Sequence, residues 1–248
     1  MRTILLAATI LVASLSFANT QALAQTPANS RITLSPQNKP AGALAADETI
    51  VEKGGKPVII TSPSIKDAPL KSDFVLGQRK APVVLVEYAS LSCPHCAHFS
   101  TTILPTIEKN YIETGKVAYI LRQFPLNEPA LRGAMLVGCV GASSEEKYYT
   151  FSRVLFDAQS KWAFDSNFMS GLETIATVGG VSKAQFDSCV NNKDNEVKVL
   201  EAKKATNDEL KVPHTPYIII NGTVYNGDMT AEGVSKAIDA ALAAKTKK

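Results

Sequence analysis

The chain has 248 residues, 45% of them hydrophobic, which is enough apolar material to bury a full core without depending on cross-links. Its 26 basic and 23 acidic side chains leave a formal net charge of +3, a balance that predicts neither nucleic-acid nor membrane-surface binding. Length alone allows one domain or two.

Residues 1–24 read as a cleavable export signal. Met1-Arg2 supplies a short basic start, Ile4 to Ala18 is largely apolar, and Ala22-Leu23-Ala24 is a small-residue cleavage site. The apolar run of about 15 residues is short of the roughly 20 that cross a bilayer, so removal is expected rather than anchoring. Residues 25–72 follow, with Pro27, Pro36, Pro40, Pro57, Pro63 and Pro69 among Ala, Ser, Asn and Thr. They predict a flexible leader and a loosely structured arm, in which only Val58-Ile59-Ile60 looks strand-like.

The third segment, residues 73–248, carries the regular structure. Val83 to Tyr88 is rich in β-branched residues and fits a buried central strand. Cys93-Pro94-His95-Cys96 follows almost at once. Phe99, Ile103, Ile107 and Tyr111 then recur every four residues, predicting a helix with one apolar stripe that stops at Gly115 and is kinked by Pro105. Val117 to Phe124 reads as a second strand. From about 125 to 212, about 88 residues, the pattern is helical. Openings are expected near Pro129, at Ser144, at Asp165 before a run ending at Gly179-Gly180, and at the Ser182-Lys183-Ala184-Gln185 capping box. A fifth helix covers about 194–210. Tyr217 to Ile220, the turn pair Asn221-Gly222 and Thr223 to Tyr225 form a hairpin signal, and an Ala-rich helix over about 230–245 closes the chain. The order is βαβ, a helical block, then ββα.

Four cysteines in an exported chain must each be explained as paired, metal-bound or reactive. Cys93 and Cys96 lie between a buried strand and a helix start. There, unpaired backbone N–H groups and the positive end of the helix dipole favour a thiolate. Pro94 suits a first-turn position, and a protonated His95 would add a further favourable charge. Cys93 is thus expected to be the low-pKa, solvent-facing nucleophile and Cys96 the buried resolving thiol. Each unit by which the Cys93 pKa falls below ambient pH favours the reduced form by about 1.4 kcal/mol, or roughly 30 mV of potential. A static disulfide and half of a zinc site are the competing readings. A zinc site would need further ligands, yet there is no second C-x-x-C and His95, His98 and His214 are the only histidines. No metal site is therefore expected, and His98 reads as an ordinary, partly exposed helix residue.

Glu87 is an acid within an apolar strand, six residues before Cys93. Burial would raise its pKa and let it exchange a proton with Cys96; a hydrogen-bonded structural carboxylate, or one reaching water at a strand edge, is the alternative. Cys139 and Cys189 fall in the first and fourth helices of the block. An oxidising compartment favours a structural disulfide between them, and two free buried thiols are the other reading.

The Leu76-Gly77 and Ala81-Pro82 lead-in, the Cys-Pro-His-Cys motif after a strand, the helical insertion and Thr215-Pro216 before the hairpin together resemble the DsbA-like branch of the thioredoxin superfamily. The resemblance covers about Val75 to Ala244 and implies an α/β thioredoxin fold (βαβ…ββα) with a helical insertion. It also implies that Pro216 is the cis-proline packing against the C-x-x-C and that the Thr215 backbone pairs with an extended substrate peptide near Cys93. An acid at the place of Glu87 agrees with it, and a second disulfide in the helical block is reminiscent of some alphaproteobacterial members. His214 departs from the usual pattern before the cis-proline, and either tunes the site or faces solvent.

The activity so implied is oxidation of cysteines in unfolded exported polypeptides by the Cys93-Cys96 disulfide, in the periplasm, by a monomer, with no other cofactor. A DsbB-like quinone-linked membrane partner would reoxidise it. A disulfide isomerase or reductase kept reduced by another partner is the nearest rival, and the threonine at 215 leaves the direction open. The short, Pro-rich stretch before residue 73 is unlike the dimerisation domain of periplasmic isomerases. A thiol-based metal carrier using Cys93, Cys96 and a histidine is the third reading.

Overall fold

The structure is a computed structural model that describes residues 68–246. The export signal, the leader up to residue 67 and the Val58-Ile59-Ile60 segment lie outside the described residues.

The apolar run after Pro82 forms β1 (Val83–Ala89), the centre of a four-stranded sheet ordered β2-β1-β3-β4. β2 (Val117–Gln123) pairs with it in parallel, Glu87 opposite Leu121. β3 (Tyr217–Ile220) pairs with its other edge in antiparallel sense, Glu87 opposite Ile218, and β4 (Thr223–Val224) completes the hairpin. Asn221 and Gly222 both take positive φ, +47° and +79°. That pair of left-handed residues matches a tight hairpin turn, which explains the Asn-Gly choice. The Asn221 side chain also accepts a hydrogen bond from the Val84 N–H at 2.8 Å, extending the β1 pairing by one residue.

Both faces of the sheet are covered, which is why its strands read as continuous apolar runs rather than alternating ones. On one face Leu85 and Ala89 pack with Phe99, Ile103, Ile107, Val234 and Ile238; on the other Val86, Tyr88, Ile120 and Ile219 pack with Val75, Phe124 and Leu210. The outer edge of β2 is met by an antiparallel bridge from Leu76, with N–H to carbonyl bonds of 2.9 and 3.0 Å to Tyr119.

The helix after the cysteines is continuous but not uniform. α1 (Pro94–His98) runs into a π turn (Phe99–Ile103), α2 (Leu104–Ile107) and a second π turn (Glu108–Ile112). In a regular α-helix a four-residue step overshoots a full turn by about 40°, so the stripe Phe99, Ile103, Ile107, Tyr111 would drift off the sheet. The wider π turns absorb that drift, and all four side chains are buried. Pro105, expected to kink the helix, sits just after the first π turn, where the Leu104 N–H bonds the Phe99 carbonyl five residues back. Gly115, at φ +73°, follows the second.

The insertion contains α3 (Glu128–Gly141), α4 (Glu145–Asp157), α5 (Phe168–Val178), α6 (Lys183–Val190) and α7 (Lys193–Leu210), with a 3-10 turn at Gln159–Lys161. Side chains of Asn127, Ser144, Ser182 and Asn192 cap four of these helices. The reading of Asp165 as a helix opener is corrected: its carboxylate accepts from the Asn167 N–H at 2.7 Å, closing a local turn, and α5 begins at Phe168. α8 (Ala231–Thr246) closes the fold by burying Val234 and Ile238.

Candidate active site

β1 ends at Ala89 and α1 begins at Pro94, so Cys93 is the residue that caps α1, with φ −87° and ψ 120°. Its carbonyl accepts from the N–H groups of Cys96 and Ala97, both at 3.1 Å, and its side chain is left beside the first turn of the helix. Pro94, Cys93's neighbour, loses no bond there because first-turn N–H groups have no helical partner.

Cys93 Sγ lies 3.3 Å from the carbonyl oxygen of Thr215, to which its thiol donates. The Thr215-Pro216 peptide is cis. The geometry corrects one expectation: Cys93 does not face solvent openly but is 8% exposed, enclosed between α1 and Thr215, two residues before β3. Cys96 is fully buried one turn further on. His95, Pro94 and His98 are exposed, and His214 is exposed with its ring edge-on to Tyr217 and Nδ1 3.2 Å from the Pro216 carbonyl.

The two thiols differ sharply in acidity. The Cys93 pKa is lowered to about 5, first by the Cys96 thiol and then, against the cost of partial burial, by Thr215 and the backbone N–H groups of Cys96 and His95. His95 contributes through its backbone N–H. In the thiol form shown, the Thr215 hydroxyl is buried with no partner among the described residues. Once Cys93 ionises, its sulfur no longer donates to the Thr215 carbonyl. Burial pushes the Cys96 thiol in the opposite direction, well above the ordinary range, reinforced by Cys93 and by the charge on Glu87.

Glu87 is wholly buried on the central strand, which removes the edge-strand alternative. By alternation it shares the face of Leu85 and Ala89, the side on which Cys93 and Cys96 pack. Its Oε2 accepts a hydrogen bond from the Tyr119 hydroxyl, and Oε1 has no partner among the described residues. Desolvation raises its pKa to about 8, against the lowering effect of the Tyr119 hydrogen bond.

Two further residues hold the site and escape sequence reading. Gln159, buried in the 3-10 turn of the insertion, donates from Nε2 to the Leu91 carbonyl at 2.8 Å and the Cys93 carbonyl at 3.0 Å. No local pattern marks it, since its partners lie 68 and 66 residues away. Tyr119 carried a signal: a tyrosine in an apolar strand parallel to the one bearing Glu87. In the insertion, Cys139 of α3 and Cys189 of α6 are joined in a disulfide, Cα atoms 5.6 Å apart. Among the described residues no group of three or more His, Cys, Asp and Glu side chains could hold a metal ion, and no helix is long and apolar enough to cross a membrane.

The family model described as Thioredoxin matches residues 70–240. A Rickettsia typhi relative named "Putative protein-disulfide oxidoreductase" is 35% identical over 179 residues, covering 71% of this chain and 64% of its own length. This chain thus spans less than two thirds of that relative. Disulfide bond formation protein D of Bacillus subtilis is 25% identical over 198 residues, covering 77% of this chain and 84% of the relative. Among solved structures, Wolbachia pipientis alpha-DsbA1 superposes with a TM-score of 0.67 at 30% identity, covering 72% of this chain and 94% of that one. The strand-turn-helix that carries Cys93 and Cys96, the Thr215-Pro216 loop beside it and these likenesses place the chain in the DsbA-like branch of the thioredoxin family.

Proposed function

We propose that the chain is an exported thiol-disulfide oxidoreductase working in the periplasm, and that it donates its Cys93-Cys96 disulfide to cysteines of unfolded exported polypeptides. The observation that carries this is the unequal pair: a Cys93 thiolate stable down to about pH 5 beside a Cys96 thiol held protonated by burial. A stabilised Cys93 thiolate favours the reduced enzyme, and a disulfide that prefers to be reduced is an oxidant. The names of the relatives, a disulfide bond formation protein and an alpha-DsbA1, support the same direction.

In the reaction, a substrate thiolate attacks Cys93 Sγ and breaks the Cys93–Cys96 bond. Cys96 leaves as a thiolate and takes the proton carried by Glu87. A second substrate thiolate then attacks the substrate sulfur of the mixed disulfide, releasing the oxidised substrate and Cys93 as its thiolate, which needs no proton at neutral pH. The Thr215 backbone and Pro216 flank the nucleophile and would align an extended substrate segment. The protein acts as a monomer with no cofactor beyond its own disulfide, and a DsbB-like, quinone-linked membrane oxidase returns it to the disulfide form.

The deciding test is the redox state in cells, fixed by rapid acid quenching and thiol alkylation. A Cys93-Cys96 pair found predominantly as the disulfide is the expected result. A predominantly reduced pair overturns the oxidase reading in favour of an isomerase or reductase.

A further inference from the structure

Glu87 has two carboxyl oxygens in unlike circumstances. Oε2 accepts from the Tyr119 hydroxyl, while Oε1 is buried and unpartnered among the described residues. Tyr119 is itself fixed at several points. Its backbone N–H and carbonyl are bonded to Leu76, its carbonyl also accepts from the Tyr149 hydroxyl at 2.9 Å, and its ring lies tilted against Tyr149 at 5.7 Å. With its ring so held, the hydroxyl meets Glu87 at Oε2, and while it donates there the unpartnered Oε1 is the oxygen left to carry a proton.

We propose that Tyr119 is a positioning residue for the thiol-disulfide reaction, holding Glu87 so that Oε1 alone exchanges a proton with Cys96. The proposal rests on the thiol-disulfide reading given above. It explains why an acid can occupy a buried central strand of the sheet without a cationic partner among the described residues, since a neutral donor steadies the carboxylate without pinning it in the charged state, as a lysine or arginine would. The titratable groups around Glu87 are Tyr119 from β2, Cys93 and Cys96 from the start of α1, and Tyr148 and Tyr149 from α4, with Asp73 acting on those two tyrosines. None of these is a cation, so Glu87 is the group free to change charge near neutrality.

The step can be followed in a single turnover. Reduced protein treated with 5,5′-dithiobis(2-nitrobenzoate) forms a mixed disulfide of Cys93 with 5-thio-2-nitrobenzoate. Cys96 then attacks Cys93 Sγ, the bond to the aromatic thiol breaks, the coloured thiolate leaves, and the Cys96 proton passes to Oε1. Release should follow a pH limb near 8 in the wild type. In Tyr119→Phe, a nearly isosteric change, loss of the hydrogen bond that favours the carboxylate should move the limb up by about one pH unit. Glu87→Gln should lack the limb, and adding Tyr119→Phe to it should change nothing further.

A Tyr119→Phe limb that coincides with the wild type overturns the proposal, as does an equal shift in the Glu87→Gln background, which would show Tyr119 acting through the fold alone. A limb retained in Glu87→Gln removes Glu87 from the proton path and the proposal with it. Failure of the wild type to release the thiolate at any pH instead overturns the thiol-disulfide reading itself. The infrared carbonyl stretch of protonated Glu87 gives an independent readout: absent in Glu87→Gln, and moved to higher wavenumber in Tyr119→Phe.

Discussion

Gln159 holds the carbonyl of Cys93 at 3.0 Å from across the insertion, so the residue that caps the first helix is secured by a part of the chain absent from the bare βαβ…ββα core. With its second bond to Leu91, one amide group satisfies two carbonyls of the loop that ends at Cys93. Gln159→Leu keeps the volume and removes both donations. A loss of about 1–3 kcal/mol in urea denaturation is expected, because buried carbonyls left without donors carry their desolvation cost. A change below measurement error would show that the loop is held by other means.

The acidity of Cys93 is directly measurable. Alkylation of the reduced protein by iodoacetamide should rise with a midpoint near pH 5, with Cys96 unmodified throughout. Thr215→Val removes the hydroxyl of a residue that lowers the Cys93 pKa, and the midpoint should rise by about one unit, with a fall of about 30 mV in reduction potential. An unmoved midpoint would leave the stabilisation to Cys96 and the backbone alone.

Glu87 sets a stability trend that is clearest in the oxidised protein, where Cys93 does not titrate. With the pair reduced its folded pKa is about 8, above its unfolded value of 4.5; oxidation removes only the last and smallest cause, the Cys93 charge, and keeps the direction set by burial, so above about pH 4.5 the native state binds more protons than the unfolded one. The stabilisation is fully present below about pH 4.5 and is lost as pH rises through the raised folded value, by up to about 1.4 kcal/mol per unit. Denaturation of the oxidised protein from pH 5 to 8 should show that decline in the wild type and not in Glu87→Gln. In the reduced protein Cys93 works the other way, its stabilisation being present above its unfolded value and lost as pH falls through about 5. The reduced form should therefore gain on the oxidised one across the same range.

The Cys139–Cys189 bond closes a separation of 50 residues, for which the chain-entropy account gives about 4 kcal/mol. Cys139→Ala with Cys189→Ala should lower stability by that order while leaving the iodoacetamide profile of Cys93 in place. A shifted profile would make the insertion disulfide part of the redox centre rather than a brace.

Most of the scaffold was legible from residue pattern. The β-branched run at 83–88, the Asn-Gly turn and the capping serines each encode their element locally, and those elements appear where expected. The position of the Cys93-Cys96 pair was legible for the same reason: two cysteines three apart at a strand-to-helix junction need no long-range information. What escaped depends on register and on distance along the chain. Asp165 offered a good cap, but its carboxylate found a nearer N–H. The stripe from Phe99 to Tyr111 was read correctly as apolar, while the two π turns that keep it aligned leave no composition signal. The contact from Tyr119 to Glu87 requires knowing how two parallel strands slide past each other, and Gln159 requires knowing the fold. The enclosure of Cys93 followed from the same gap, since helix position predicts acidity and the Thr215 loop decides exposure.

The bridge from Leu76 along β2 has a meaning apart from the redox pair. Extended polypeptides of the kind proposed as substrates are strands in search of an edge, and a long open edge would collect them without regard to their cysteines. Here the free side of the seven-residue β2 is engaged by the lead-in at Tyr119 and by the Tyr148 and Tyr149 hydroxyls at Leu121, and the opposite border of the sheet is the two-residue β4, too short to template much. An incoming segment therefore gains little by joining the sheet at random, which on the proposed function leaves its alignment to the backbone beside Cys93.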